Sequence, residues 1–325
     1  MSAVMVESLL KLDHLSVDYK VGSGLLSAVH DVSLSIAKGE IYALVGESGC
    51  GKSTIAHTIM RLSLDHNEVF DGKIIFEGND LLMLSDTEME KVRGKHIGMI
   101  FQNPLDSLNP VYRSGTQVAE ALMLDGMSKK EAMDRVVELY RDVQIPEPEE
   151  RVRAFPHELS GGMRQRVMIA MMLARNPELL IADEPTTALD VTVESQILSI
   201  MKDLRDRYGS SVLLITHNFG IVAEMADRIG IMYAGELVEE GTVFEIFNHP
   251  VHPYSKALLS ALPRCRKTEK RIDAISGTVP RIFEKVDHCR FHNRCPKAKA
   301  LCAEIGPSFL ALTETHRVRC HREVH

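Results

Sequence analysis

The chain predicts an α/β fold built around a phosphate-binding loop, and three observations carry that prediction. Short aliphatic runs such as Ile41–Val45 and Leu179–Ala182 read as buried parallel strands. Directly after the first of them, Gly46-Glu47-Ser48-Gly49-Cys50-Gly51-Lys52-Ser53 fits G-x-x-x-x-G-K-[ST]. Apolar residues make up 45% of the 325 positions with only 5% aromatic and no Trp, which suits a core of aliphatic side chains.

The elements follow in order along the chain. Leu15–Tyr19 and Val32–Ile36 read as strands, and Lys38-Gly39-Glu40 as the turn before the loop strand. A helix starts near Lys52. Ile74–Phe76 with Glu77-Gly78-Asn79-Asp80 reads as strand and turn, and Ile97–Phe101 as a strand ending at Gln102. From Thr116 to Tyr140 apolar positions recur at helical spacing (Val118, Ala121, Leu122, Ala132, Val136, Leu139). Gly162–Ala174 reads as a helix that stops before Asn176-Pro177, and Val212–Thr216 as a further buried strand ending at His217.

The loop chemistry follows from its backbone. Glycines let successive N–H groups turn inward, and the helix N-terminus presents unpaired donors and a positive dipole end to phosphate. Lys52 is expected on the β- and γ-phosphates, and the Ser53 hydroxyl on Mg²⁺. Asp183 ends an apolar strand, so its carboxylate is placed to hold hydrated Mg²⁺. Glu184 beside it is the candidate to polarise the attacking water. Cys50, inside the loop at a helix N-terminus, is expected to be a reactive thiol that alkylation blocks and MgATP protects.

Charge and length limit the alternatives. The net charge of −7 argues against a nucleic-acid binder of the basic-patch kind. From Arg264 onward there are 14 Lys/Arg against 7 Asp/Glu, whereas residues 1–263 carry 24 against 38, so a domain boundary is expected near Pro263. The longest apolar run, Val167–Ala174, is eight residues, short of the roughly 20 a helix needs to cross a bilayer. No basic residue precedes Lys11, and no signal-peptide pattern is present, so a cytoplasmic location is expected.

Downstream, Leu159-Ser160-Gly161-Gly162-Met163 completes a set that resembles the ATP-binding cassette superfamily across roughly residues 8–245. The resemblance implies a RecA-like P-loop NTPase core, an antiparallel β subdomain and a helical signature-motif subdomain at about 105–175, all within residues 1–263. It implies that Tyr19 stacks on adenine, that Gly46 through Ser53 and Thr54 wrap the phosphates, and that Gln102 contacts Mg²⁺ and the catalytic water. Asp190 matches the loop that communicates across the dimer, and His217 the residue that contacts the γ-phosphate. Ser160, Gly161 and Gly162 open a helix and form an anion site. In the resemblance they close over ATP bound to a second cassette, so two ATPase subunits are expected, identical or related.

Narrower motifs look like the oligopeptide, dipeptide and nickel importer ATPases. They are Met99-Ile100-Phe101-Gln102-Asn103-Pro104 continuing to Pro110, Asp183 through Thr192, and His252-Pro253-Tyr254-Ser255-Lys256-Ala257-Leu258-Leu259. Gly277-Thr278-Val279-Pro280, Cys289-Arg290-Phe291 and Arg294-Cys295-Pro296 are similar to that group's terminal domain, placed here at 264–325. The expected role is an ATPase at the cytoplasmic face of the cell membrane, with two permease subunits and an extracytoplasmic substrate-binding protein. Peptide is the expected cargo, with nickel or oligosaccharide as alternatives. A non-transport role in a phosphonate-processing complex is a further alternative.

A soluble cassette acting on ribosomes or DNA fits less well. Ribosomal members usually carry two cassettes, whereas this chain has one loop and one pentapeptide. DNA-repair members need a long coiled coil that the 130 residues between Ser53 and Asp183 cannot hold. Cys289, Cys295, Cys302 and Cys320 have neither close zinc-type pairs nor ferredoxin spacing. The resemblance implies a four-iron four-sulfur cluster on them, with zinc or free thiols left open and Cys265 outside the set.

Overall fold

The computed structural model describes residues 8–22, 24–62, 68–101, 108–186, 191–262, 277–283 and 286–321. These form two compact units. One comprises Ala37–Glu40 and Leu84–Leu214; the other comprises Ser8–Ile36, Ile41–Met83 and the chain from Ile215 onward. The boundary expected near Pro263 adjoins residues 263–276, which lie outside the described set. The cysteine-bearing segment beyond them belongs to the unit that carries the phosphate-binding loop.

The loop-bearing unit opens with β1 (Ser8–Val21) and β2 (Gly24–Ala37), longer than the runs read from sequence. On β1 the inward positions Leu10, Leu12, Leu15 and Val17 are buried. β3 (Ile41–Val45) is buried at every position, as its unbroken apolar run requires. α1 (Lys52–Ile59) follows the loop. β4 (Glu68–Phe76) pairs antiparallel with β1 and, through the Glu77-Gly78 turn, with β5 (Asn79–Asp80). The antiparallel sheet is ordered β2-β1-β4-β5.

The second passage builds the other unit. α2 (Asp86–Val92) starts from a capping box of Ser85 with Glu88, and β6 (Ile97–Ile100) follows. The helical stretch expected over 116–140 is two helices, α3 (Ser114–Met123) and α4 (Lys129–Asp142). Gly126 at φ 86 breaks them apart, and Ser128 with Glu131 starts the second through its own capping box. α5 (Pro148–Arg151) and α6 (Gly161–Leu173) complete the helical part. β7 (Leu179–Asp183) runs parallel to β6. α7 (Val191–Tyr208) and β8 (Ser211–Thr216), the neighbour of β7, return the chain to the loop-bearing unit.

There α8 (Phe219–Met225) leads to β9 (Arg228–Tyr233), parallel to β3, and to antiparallel β10 (Glu236–Thr242). α9 (Val243–Asn248) and α10 (Pro253–Ser260) precede the terminal hairpin β11 (Phe309–Ala311) and β12 (Arg317–Arg319). β12 adds to the edge of β10, giving the order β11-β12-β10-β9-β3. Two buried carboxylates of β10 gain partners from this addition. Glu239 meets His316 at 2.8 Å, and Glu240 meets Arg228 at 2.6 Å and Arg317 at 2.5 Å. Glu240 also accepts from the Tyr42 hydroxyl at 2.9 Å, and Glu239 from the Val251 and His252 N–H groups at 2.7 and 2.9 Å, so the hairpin adds to pairings that β10 already has. Beneath the loop, Val45, Ile231, Tyr233, Tyr254 and Phe291 share one apolar cluster.

Candidate functional site

Two of the loop glycines are required by its path. Gly51 has φ 104, and a Cβ there would collide with the Ala28 carbonyl oxygen. A Cβ at Gly46 would run into the Met232 carbonyl and the Cys50 sulfur. Between them Ser48 and Gly49 form an exposed crest. Lys52 is buried and folds back along the loop, its Nζ donating to the Gly46 carbonyl at 2.8 Å and the Glu47 carbonyl at 3.0 Å. The loop is braced from outside as well. The Glu47 N–H donates to the Tyr254 hydroxyl at 3.1 Å, and the Gly235 N–H to the Cys50 carbonyl at 2.9 Å.

Tyr19, far from the loop in sequence, is half-buried and hydrogen-bonded through its side chain to Thr54 and Glu68. Burial pushes its phenol pKa up. His217 follows β8 and is exposed, at a turn where the Asn218 side chain caps α8 by accepting from the Gly220 N–H at 2.9 Å. Cys50 corrects an expectation. It is 1% exposed, and burial outweighs the neighbouring Lys52 to push its thiol pKa up, so the helix N-terminus does not make it reactive.

In the other unit, Asp183 is buried at the end of β7, and Glu184 after it is half-buried at φ 46. A non-glycine residue there costs about 1–3 kcal/mol, a strain that clusters at working sites. Ser160 caps α6, its hydroxyl accepting from the Met163 N–H at 3.3 Å. α6 is anchored by Arg166, which donates to the Val143 and Gln144 carbonyls at 3.0 and 2.7 Å and to Gln196 at 2.8 Å. A Cβ at Gly161 would meet nothing within 4 Å, so the chain's own packing does not demand glycine there. Gln102 and Asp190 lie outside the described residues.

The four terminal thiols were expected to share one centre. Cys289 is pushed up to about 12, first by burial, with Cys302 and Cys320 close enough to add to the shift. Its N–H donates to the Cys302 carbonyl at 3.1 Å, while Cys295 packs against the apolar cluster under the loop. Among the described residues no group of three or more His, Cys, Asp or Glu side chains is arranged to hold a metal ion. Two contacts escaped the sequence reading, Tyr254 and Arg294 on Glu47. Both lie inside motifs quoted above, where they served only as marks of resemblance.

Among the described residues no helix is long and apolar enough to cross a membrane. The ABC transporter family profile matches residues 29–187, and the profile of the oligopeptide/dipeptide transporter C-terminal region matches 238–302. The dipeptide transport ATP-binding protein DppD of Bacillus subtilis is 44% identical over 97% of this chain and 95% of its own length. The oligopeptide transport ATP-binding protein OppD of the same organism is 47% identical over 97% and 89%. Among solved structures, the ATP-binding cassette MJ0796, a dimer in a post-hydrolysis state with ADP and Pi, superposes with a TM-score of 0.65 at 31% identity, covering 72% of this chain and 98% of that one. CbiO1 of Clostridium perfringens, part of an ABC transporter complex, gives 0.65 at 26% identity over 75% and 92%. The chain therefore belongs to the ATP-hydrolysing subunits of the ABC transporter family, in the branch that carries the oligopeptide/dipeptide transporter C-terminal region.

Proposed function

We propose that the chain energises a membrane importer for di- or oligopeptides. It works as one of two paired cassettes at the cytoplasmic face, docked on two permease subunits that receive cargo from an extracytoplasmic substrate-binding protein. The observation that carries the peptide reading is likeness over 97% of the chain to dipeptide and oligopeptide transport ATP-binding proteins, the C-terminal region included.

Within that role Tyr19 carries the adenine, the N–H groups from Gly46 to Thr54 wrap the phosphates, and Lys52 swings from the loop carbonyls to the β- and γ-phosphates. The Ser53 hydroxyl, Gln102 and the Asp183 carboxylate are hard oxygen donors suited to Mg²⁺, which would neutralise charge on the transferring phosphoryl group. Glu184 orients and polarises the attacking water, and His217 contacts the γ-phosphate. Ser160, Gly161 and Gly162 close on the partner's ATP, and Asp190 relays between the two halves. The open space at Gly161 supports this: nothing of its own chain lies within 4 Å of a Cβ there, which leaves room for a phosphate arriving from outside. Because phosphoryl transfer depends on positioning and charge stabilisation, parting the halves switches hydrolysis off. Among the described residues no side-chain group is arranged as the iron–sulfur centre implied by the resemblance would need, so the proposed role rests on the nucleotide site alone.

Uptake by cells lacking this chain tests the cargo. Restoring the chain should restore uptake of labelled di- and oligopeptides, and the Lys52→Ala form should not. Peptide uptake that never depended on the chain, with nickel or oligosaccharide uptake depending on it instead, would overturn the peptide reading.

A further inference from the structure

Arg294 sits in the turn between Cys289 and Cys295, 247 positions from Glu47, yet the two side chains meet in a two-pronged pair. Nη1 donates to Glu47 Oε2 at 2.7 Å, and Nη2 to Oε1 at 3.0 Å. Nη2 also donates to the Gly277 carbonyl at 3.2 Å, and the guanidinium lies 5.6 Å from the Tyr233 ring centre. The Arg294 side chain is 8% exposed and that of Glu47 28%, so water screens the pair only in part. The turn that presents it is fixed from both sides: the Arg294 N–H donates to the Phe291 carbonyl at 3.0 Å, and the Cys295 N–H to the His292 carbonyl at 3.2 Å.

Glu47 is the second residue of the phosphate-binding loop, and each of its polar groups is engaged. Its N–H is on the Tyr254 hydroxyl, its carbonyl receives Lys52, and its carboxylate receives Arg294. With Gly46–Ser53 read as the nucleotide loop, a carboxylate at this position belongs to the segment that gathers several phosphate charges. Unpaired, it would repel them, and the loop's second residue would lose one of its ties.

We propose that Arg294 is a positioning residue for nucleotide binding. By pairing with Glu47 it cancels that carboxylate's repulsion of the polyphosphate and holds the loop's second residue in place, so the cysteine-bearing terminal segment sets the loop's affinity. The inference rests on Gly46–Ser53 being the nucleotide loop. It has a consequence that a purely structural tie lacks: removing Arg294 harms binding because Glu47 is left charged, and the harm grows with the charge of the nucleotide.

The test is a titration of the full-length chain with MgATP and with MgADP, using Arg294→Gln, Glu47→Gln and the double variant, with Lys52→Ala as the check on the loop itself. Arg294→Gln should weaken MgATP binding about 10-fold, as expected for stranding one partner of a partly buried charge pair, and weaken MgADP less. The double variant should return to within about 3-fold of Glu47→Gln alone, since the two positions are coupled. If Lys52→Ala leaves binding intact, the loop assignment itself fails. If Lys52→Ala abolishes binding while Arg294→Gln leaves it unchanged, Arg294 does not position the loop. A double variant as weak as Arg294→Gln would also overturn the inference, reducing Arg294 to a tie that holds the segment.

Discussion

Acid should loosen this protein through His252, starting at a pH where most carboxylates are still charged. His252 is 2% exposed and caps α10, its Nδ1 accepting the Tyr254 N–H at 3.1 Å. Only a ring with the proton on Nε2 can accept there, so the folded state requires neutral histidine. Burial pushes its pKa down to about 4, against the pull of the Glu239 carboxylate. The unfolded chain takes up a proton near the ordinary 6.5, so between about 6.5 and about 4 the unfolded state holds more protons. The contribution is therefore complete above about pH 6.5 and is lost as pH falls towards 4. At about 1.4 kcal/mol per unit, the whole window is worth about 3 kcal/mol. His252→Asn keeps a capping oxygen and removes the titration. Melting temperatures taken between about pH 7 and about pH 5 should fall more steeply for the wild type than for His252→Asn. Equal slopes, or a His252 ring that titrates near 6.5 by NMR, would refute the reasoning.

The remaining predictions concern the loop and the acids. Glu184→Gln should keep nucleotide binding and lower hydrolysis about 10²-fold or more, whereas Lys52→Ala should weaken binding itself; turnover and titration separate the two. Cys50, read by mass spectrometry after maleimide treatment, should label at less than about a tenth of its rate in the urea-unfolded chain; equal rates would show an open loop thiol. Gly51→Ala, at φ 104 and against the Ala28 carbonyl, should cost at least about 1–3 kcal/mol of stability and abolish nucleotide binding, read by thermal melt and titration.

The loop strand, its helix and the strand ending at Asp183 were legible because each is written locally: an unbroken aliphatic run, then glycine and lysine at fixed spacing, or a closing carboxylate. The break between α3 and α4 was also written, in Asp125-Gly126 and the Ser128/Glu131 cap, but helical spacing on both sides masked it. β10 was not legible at all. Val238-Glu239-Glu240-Gly241 carries two acids in a row, and their partners lie far off in sequence: His316 and Arg317 are some 77 positions away. The same long-range pairing accounts for the charge shift at 263. The basic excess of the terminal segment meets acidic partners earlier in the chain, Glu47, Asp31 and Glu236 among them, so opposite charge ties the segment to the loop-bearing unit. Cys50 misled because burial outweighs the pull of Lys52 and of the loop N–H groups on its thiol.

The central claim is that each ATP is hydrolysed between the loop of one cassette and Ser160-Gly161-Gly162 of another. It is tested most directly by Ser160→Arg in this chain, measured in two settings: nucleotide affinity of the isolated chain, and ATP turnover of the assembled transporter. Affinity of the isolated chain should stay within about 2-fold of wild type, while turnover of the assembly falls about 10²-fold or more, the scale of removing one donor to the transition state. A collapse of affinity in the isolated chain, or turnover that does not change, would contradict the two-chain site.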